Sequence, residues 1–232
     1  MGNPIFSDEI EPDGWTHESL GTLGLVVYYI HPDSKKTIQA IITAAHNCHR
    51  NFEVVYGFIY GRGTSEEAFG NPAPDLVVSM LPNGLTYSSD TNSVDGKYAN
   101  SKVESTAITG CISKISASPP GVGTQIFFRG AVNKAVGEYI SNVKYKKMEC
   151  YLCRFFAGDH GDSGACVFYK SNSNEDEYIA FGIMTAKINS GHRNDHYVVT
   201  PLSVIANSKN PAISLAGVPP MQVYVLPHTT TC

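Results

Sequence analysis

The chain has 232 residues, of which 42% are hydrophobic and 16% are charged, and its formal net charge is -4. This composition is too apolar for a disordered chain, and without a basic surplus neither nucleic acid nor an anionic membrane is an expected partner. No apolar run approaches the roughly 18 residues that a membrane span requires, and the length suits a β sandwich or barrel.

The N-terminal region is acidic, and its pattern does not predict a secretion signal. Residues 1–34 contain no Lys or Arg, whereas a signal peptide opens with basic residues followed by an apolar run. We interpret residues 1–20 as an acidic extension. An intracellular location is the expectation, and with it free thiols rather than disulfides for the six cysteines.

Beyond residue 20 the sequence alternates short β-branched and aromatic runs with turns rich in Gly, Pro, Asn and Ser. Regularly spaced strands without helical crossovers predict an all-β fold, here two antiparallel barrels, with one short helix beginning at Pro201. The polar stretch 87–100 marks the boundary, which assigns 21–95 to the first barrel and 96–232 to the second. The predicted strands are 25–30, 37–43, 52–60, 76–81, 103–112, 124–128, 135–143, 150–156, 165–169, 178–184 and 196–199.

The sharpest motif is Gly161-Asp162-Ser163-Gly164, which lies between two apolar strands. All of its residue types are common in tight turns, so an ordinary β turn is one interpretation. The other is a loop that exposes a serine nucleophile. A second motif is needed to decide between them.

The second motif is Thr43-Ala44-Ala45-His46, at the end of an apolar strand. A Thr-Ala-Ala-His block followed much later by Gly-Asp-Ser-Gly resembles the chymotrypsin-like (trypsin-like) serine proteases, whose fold is a double antiparallel six-stranded β-barrel. The resemblance covers roughly residues 21 to 206. It implies an enzyme that hydrolyses peptide bonds in polypeptide substrates.

That chemistry requires a carboxylate, because a serine hydroxyl is a weak nucleophile and the imidazole that accepts its proton must be oriented and stabilised. Five aspartates lie between His46 and Ser163. Asp75 alone opens an apolar strand, similar to an Asp-Ile-Ala-Leu element of the family, although a turn cap is the alternative at this position. Asp90 and Asp95 lie in the polar boundary region and read as solvated.

The resemblance implies a role for each matching residue. His46 is the general base and then the general acid, Asp75 orients it, and Ser163 is the nucleophile. The backbone N–H groups of Gly161 and Ser163 form the oxyanion hole. No metal or cofactor is expected for this mechanism.

The sequence departs from the secreted animal members of this family. They have a cysteine directly after the catalytic histidine, bonded to an upstream cysteine, whereas residues 1–47 here contain none. An Ile-Val-Gly-Gly sequence, whose released N-terminus would neutralise Asp162, is also absent. Bacterial relatives use an internal arginine instead, so we hypothesise an ion pair between Arg129 and Asp162.

Substrate specificity is the least defined feature. By resemblance, Thr185, Ala186 and Lys187 end the strand that pairs with the substrate backbone, and with Ala157 and Gly158 they flank the P1 side chain. Lys187 favours an acidic P1 residue if it faces the pocket, although a solvated lysine is the commoner case. No acidic residue clearly marks the pocket floor for Lys or Arg at P1.

Cys150-Tyr151-Leu152-Cys153 has the spacing of half a zinc site, but no second Cys or His pair completes it. We interpret both as strand thiols. The predicted function is therefore a serine endopeptidase that acts through an acyl-enzyme. The alternative is a catalytically silent or latent relative that uses the protease fold as a binding or regulatory module.

Overall fold

The structure is a computed structural model that describes residues 1–10, 16–30, 34–47, 54–57, 74–80, 92–174, 176–188, 195–206 and 223–225. Strands dominate, and the helical elements among these residues are a 3₁₀ helix at Ala45–Asn47 and the four-residue α1 at Ser203–Ala206. Neither has the length and apolar character that crossing a membrane requires.

Sixteen strands are described. They are β1 (Pro4–Ile10), β2 (Thr16–Thr22), β3 (Leu25–Ile30), β4 (Thr37–Thr43), β5 (Val54–Gly57), β6 (Val77–Met80), β7 (Gly96–Ala99), β8 (Ser105–Ile108), β9 (Cys111–Ile115), β10 (Gln125–Arg129), β11 (Lys134–Tyr145), β12 (Met148–Phe155), β13 (Cys166–Lys170), β14 (Glu177–Lys187), β15 (His196–Pro201) and β16 (Val223–Val225).

In the N-terminal half, β1 and β2 form an antiparallel hairpin, and four further strands form a five-stranded sheet with the C-terminal β16, in the order β16-β3-β4-β6-β5. In the C-terminal half, six strands form a closed ring in which β10 pairs with both β11 and β13, and β14, β15 and β12 complete the circuit. The described end strands of the five-stranded sheet do not pair with each other. The expectation of two closed barrels is therefore not confirmed.

The alternation of side chains along β10 shows how the core is divided. Ile126 and Phe128 are fully buried inside the ring, among aromatic side chains that include Phe155 and Phe181. Phe127 points the other way, into a second cluster that contains residues of both sheets. Because this cluster is shared, the two halves pack against each other, and the candidate site lies where they meet.

Several boundaries differ from those predicted. The predicted strand 103–112 is two strands, because Gly110 has a φ of 128° and breaks the run before β9 turns to pair in parallel with β14. The predicted boundary 87–100 contains β7. Residues 1–20, predicted as an extension, form most of the β1–β2 hairpin, and β16 returns from the C-terminal part of the chain to pair with β3. The helix predicted from Pro201 begins at Ser203.

The break at Gly110 is a site of steric constraint as well as backbone strain. An added Cβ would lie 2.1 Å from the carbonyl oxygen of Asp176, whereas one added at Gly123, with a φ of 80°, would contact nothing within 4 Å. We expect Gly110→Ala to lower the free energy of unfolding by at least about 3 kcal/mol, and Gly123→Ala by about 1–2 kcal/mol from backbone strain alone. Urea unfolding of the two variants measures the difference, and equal losses would contradict it.

Candidate active site

His46 lies on the short 3₁₀ helix that follows β4. The strand ends in buried residues, and Ala44 and Ala45, both fully buried, allow the chain to turn closely against the core. The imidazole itself remains 39% exposed, so it faces the site while its neighbours are packed. The small residues of the motif therefore hold the backbone and leave the ring accessible.

The imidazole of His46 contacts the carboxylate of Asp75. Nδ1 of His46 is 2.7 Å from Oδ2 of Asp75, and the backbone N–H of His46 donates to Oδ1 of the same carboxylate at 3.0 Å. The Asp75 side chain is only 13% exposed. Two contacts from one residue fix the orientation of the ring, and Nδ1 acts as the donor when the ring is neutral. The carboxylate that the sequence singled out is thus the one beside His46.

Ser163 lies in the loop between β12 and β13, and its side chain is partly buried. Gly161, with a φ of 96°, adopts a conformation that favours glycine and turns the backbone ahead of the serine. Among the described residues no acceptor is bonded to the backbone N–H of Gly161 or of Ser163, and no partner is bonded to the Ser163 hydroxyl. The hydrogen bond between Ser163 and His46 that a triad uses is thus not formed in this structure.

Asp162 is completely buried, and its carboxylate accepts four hydrogen bonds. Oδ1 accepts from the backbone N–H groups of Val132 and Asn133 at 3.0 and 2.9 Å. Oδ2 accepts from the Asn133 side-chain amide at 2.7 Å and from the backbone N–H of Asp159 at 3.0 Å. These donors satisfy a buried carboxylate without a counter-ion.

The hypothesised ion pair between Arg129 and Asp162 is not formed. The guanidinium of Arg129 donates instead to the carbonyl oxygens of Ser93 and Asp95, at 3.0 and 3.1 Å. The reason is the alternation along β10 and the turn after it, which presents backbone N–H groups and Asn133, rather than Arg129, to Asp162. Sequence inspection missed Asn133 because an asparagine in a turn has no distinguishing signal.

Thr185 and Lys187, both predicted to flank P1, have different surroundings. Thr185 is buried and its hydroxyl lies 2.6 Å from that of Thr200, so its side chain is satisfied internally. The ammonium of Lys187 donates to the carbonyl oxygen of Gly158 at 3.1 Å and lies 5.7 Å from the centre of the Tyr197 ring. Lys187 therefore faces the start of the loop between β12 and β13 that carries Ser163, here called the serine loop.

Tyr197 supports the same carbonyl. Its hydroxyl donates to the Gly158 oxygen at 2.9 Å, and burial raises the pKa of Tyr197 to about 12, so the hydroxyl remains a donor throughout the ordinary pH range. A Cβ on Gly158 would lie 2.7 Å from that hydroxyl. The segment that contains Gly158 is therefore held against Tyr197 by a hydrogen bond and by close packing.

A cavity of about 280 Å³ adjoins the His46–Asp75 pair. Its walls come from the end of β14, from β12 and from the β11–β12 turn, and it brings Thr185 and Ala186 to the same space as His46. Neither Ser163 nor Lys187 lines it. The lining residues are His46, Asp75, Tyr145, Lys146, Met148, Cys150, Thr185, Ala186 and Thr200.

The described cysteines do not offer an alternative nucleophile or a metal site. Cys150, Cys153 and Cys166 are free and buried, and burial, followed by the charge of Asp75, raises the pKa of Cys150 to about 11. A thiol of this kind is protonated at neutral pH and unreactive. Cys111, contrary to expectation, is disulfide-bonded. Within the described ranges, no three His, Cys, Asp or Glu side chains are grouped so as to hold a metal ion.

Comparison with known proteins gives likenesses in structure alone. No protein-family model and no curated sequence matches the chain. A glutamic acid specific serine protease is 20% identical with a TM-score of 0.46, over 89% of this chain and 94% of the other. A chymotrypsin of Cellulomonas bogoriensis is 15% identical with a TM-score of 0.48, over 97% and 96%. The NS6 protease of murine norovirus 1 is 13% identical with a TM-score of 0.40, over 70% and 80%.

The contacts of Asp162 predict that one of two substitutions disturbs the serine loop and that the other does not. Asn133→Ala removes the shortest bond to a buried carboxylate, so it is expected to lower stability by about 1.5–3 kcal/mol and to disturb the serine loop. Arg129→Ala leaves every donor to Asp162 in place and is expected to leave the loop unchanged. Labelling of Ser163 by a fluorophosphonate, per folded molecule, distinguishes them: slower labelling of the Arg129 variant than of the Asn133 variant would contradict the geometry.

Proposed function

We propose that this protein is a serine endopeptidase that uses His46, Asp75 and Ser163. The observation that carries the proposal is the double contact between His46 and Asp75, in which one carboxylate accepts from the ring and from the backbone of the same residue. This arrangement suits a base that must accept a proton at its other nitrogen. Ser163 lies on a loop held by a buried carboxylate, which suits a nucleophile with a fixed backbone.

The reaction divides into two steps. The Ser163 oxygen attacks the peptide carbonyl carbon while Nε2 of His46 takes the hydroxyl proton and then passes it to the leaving amine. Water, deprotonated by the same nitrogen, then hydrolyses the acyl-enzyme. The free N–H groups of Gly161 and Ser163 suit the negatively charged oxygen that develops in each step. Asp75 orients the ring and stabilises its charged form.

The missing bond between Ser163 and His46 is compatible with this mechanism, because catalytic hydrogen bonds are often long without substrate and tighten when it binds. It also defines the alternative, a latent or catalytically silent module that keeps the protease fold. The distinction is chemical. A latent protein has a serine that does not react with an electrophile, whereas a competent enzyme has one that does.

We expect the fluorophosphonate probe to add one adduct to the wild-type protein and none to Ser163→Ala or His46→Ala, as read by intact mass. Asp75→Asn keeps the shape of the carboxylate but favours the wrong tautomer of His46, so its rate of peptide hydrolysis should fall about 10⁴-fold. Lys170→Ala, an exposed change at the end of β13, is the control. A folded wild-type protein that takes up no probe would favour the latent or silent module.

We further infer that the enzyme prefers substrates with an acidic P1 side chain, and that Lys187, which lies outside the cavity beside His46, is its partner. Lys187 places its ammonium against Gly158, and the nearest acidic group on that segment, Asp159, accepts a hydrogen bond from the backbone N–H of His160 at 2.8 Å. An incoming carboxylate would replace the Gly158 carbonyl as the partner of an exposed ammonium, which is a stronger, charge-assisted bond.

The test compares otherwise identical peptides with Glu, Gln or Arg at P1. Wild type is expected to cleave the Glu peptide at least about tenfold faster than the Gln peptide, a difference of about 1.4 kcal/mol, and Lys187→Ala should remove that difference. Lys170→Ala should keep it. A preference for Arg, or an unchanged preference for Glu in Lys187→Ala, would overturn the assignment.

A further inference from the structure

Asn47, the residue after His46, is 3% exposed, and both N–H groups of its side-chain amide are bonded inside the protein. Nδ2 donates to the backbone carbonyl of Ser163 at 2.7 Å and to Oγ1 of Thr43 at 3.2 Å. The two N–H groups of this amide thus have one acceptor each. One of these acceptors is the carbonyl of the proposed nucleophile.

The same carbonyl receives a second hydrogen bond, from the backbone N–H of Thr22 at 2.8 Å. The hydroxyl of Thr22 in turn donates to the carbonyl of Gly161 at 2.6 Å and accepts from the N–H of Ala131 at 2.9 Å. The carbonyl groups of both proposed oxyanion-hole residues are therefore held from the N-terminal half of the chain. Thr43 closes this network by donating to the carbonyl of Thr22 at 2.7 Å.

The space for the Asn47 amide exists because two glycines border it. A Cβ on Gly21 would lie 2.3 to 2.7 Å from all three terminal atoms of the amide. A Cβ on Gly164 would lie 2.7 Å from its nitrogen. Any side chain at either position would push the amide away from Ser163, so the packing and the hydrogen bond depend on each other.

We propose that Asn47 is a positioning residue, which fixes the position of the serine loop relative to His46. The inference rests on the proposed function. Because Asn47 directly follows His46, its bond to the Ser163 carbonyl ties base and nucleophile through a single side chain, without a covalent link. A misplacement of about 1 Å in such a pair lowers the rate by as much as about 100-fold, while substrate binding is less affected.

The test is a double-substitution cycle on Gly21 and Asn47. Asn47→Ala removes the donor, and Gly21→Ala displaces it; each is expected to lower kcat by about 10- to 100-fold with KM changed less than about threefold. The double variant should be no worse than Asn47→Ala alone, because the deleted amide leaves room for the new methyl group. Asn100→Ala removes an exposed asparagine that bonds to Thr106 and is the matched control.

Asn47→Asp separates the hydrogen bond from packing. It keeps the side-chain volume but places a carboxylate oxygen against the Ser163 carbonyl, so kcat should fall at least as far as in Asn47→Ala, and the rate of fluorophosphonate acylation should fall with it. Thermal unfolding of each variant reports the folded fraction, and Gly21→Ala, which retains the amide, keeps the test decisive if Asn47→Ala does not fold.

Three outcomes overturn the inference. One is a kcat per folded Asn47→Ala molecule equal to that of wild type, with only the melting temperature reduced. Another is additive losses in the double variant, which would mean that Gly21 and Asn47 act separately. An inert wild-type protein would instead overturn the proposed function and this inference together, and is recognised at once because Ser163→Ala and wild type would then behave alike.

Discussion

The buried carboxylate of Asp162 is the constraint around which the candidate site is built. A carboxylate that has no contact with solvent must receive donors from the protein, and here they come from three backbone N–H groups and one amide. Supplying them requires the β10–β11 turn to approach very closely. Gly130 allows this approach, because a Cβ there would lie 2.1 Å from Oδ1 of Asp162. The position of the serine loop follows from that turn.

The segments that carry Thr22 and Asn47 are connected to the loop that carries Ser163 by hydrogen bonds to carbonyl groups rather than by ion pairs. Thr22 and Asn47 hold the carbonyl groups of Gly161 and Ser163, whereas the backbone N–H groups of these two residues have no acceptor among the described residues. Donors fixed in advance do not have to reorganise when charge develops on the substrate, which is the physical basis of oxyanion stabilisation. The same contacts explain why the site depends on both halves of the chain.

The sequence pointed to candidate residues that stand in short motifs, and it gave no sign of those whose contacts are with distant residues. His46 and Ser163 belong to short motifs, and the context of Asp75 before an apolar strand was enough to select it. Thr22 and Asn133 lie 139 and 29 residues from their partners Gly161 and Asp162, and nothing in their neighbourhood in sequence distinguishes them. Most strands were predictable for the same reason, since alternation and turn residues are local signals.

The incorrect Arg129 assignment has a different origin. The sequence suggested a charged partner, Arg129, for the carboxylate of Asp162. A buried carboxylate can equally be stabilised by neutral hydrogen-bond donors, provided that enough of them converge on it. The distinction matters for the proposed function, because neutral donors add no positive charge to the loop that carries Ser163. On the adjoining segment Lys187 is exposed, and its ammonium donates to the carbonyl oxygen of Gly158. The proposed preference for an acidic P1 side chain therefore assigns the contact to this exposed ammonium, because the Asp162 carboxylate is buried and enclosed by its four donors.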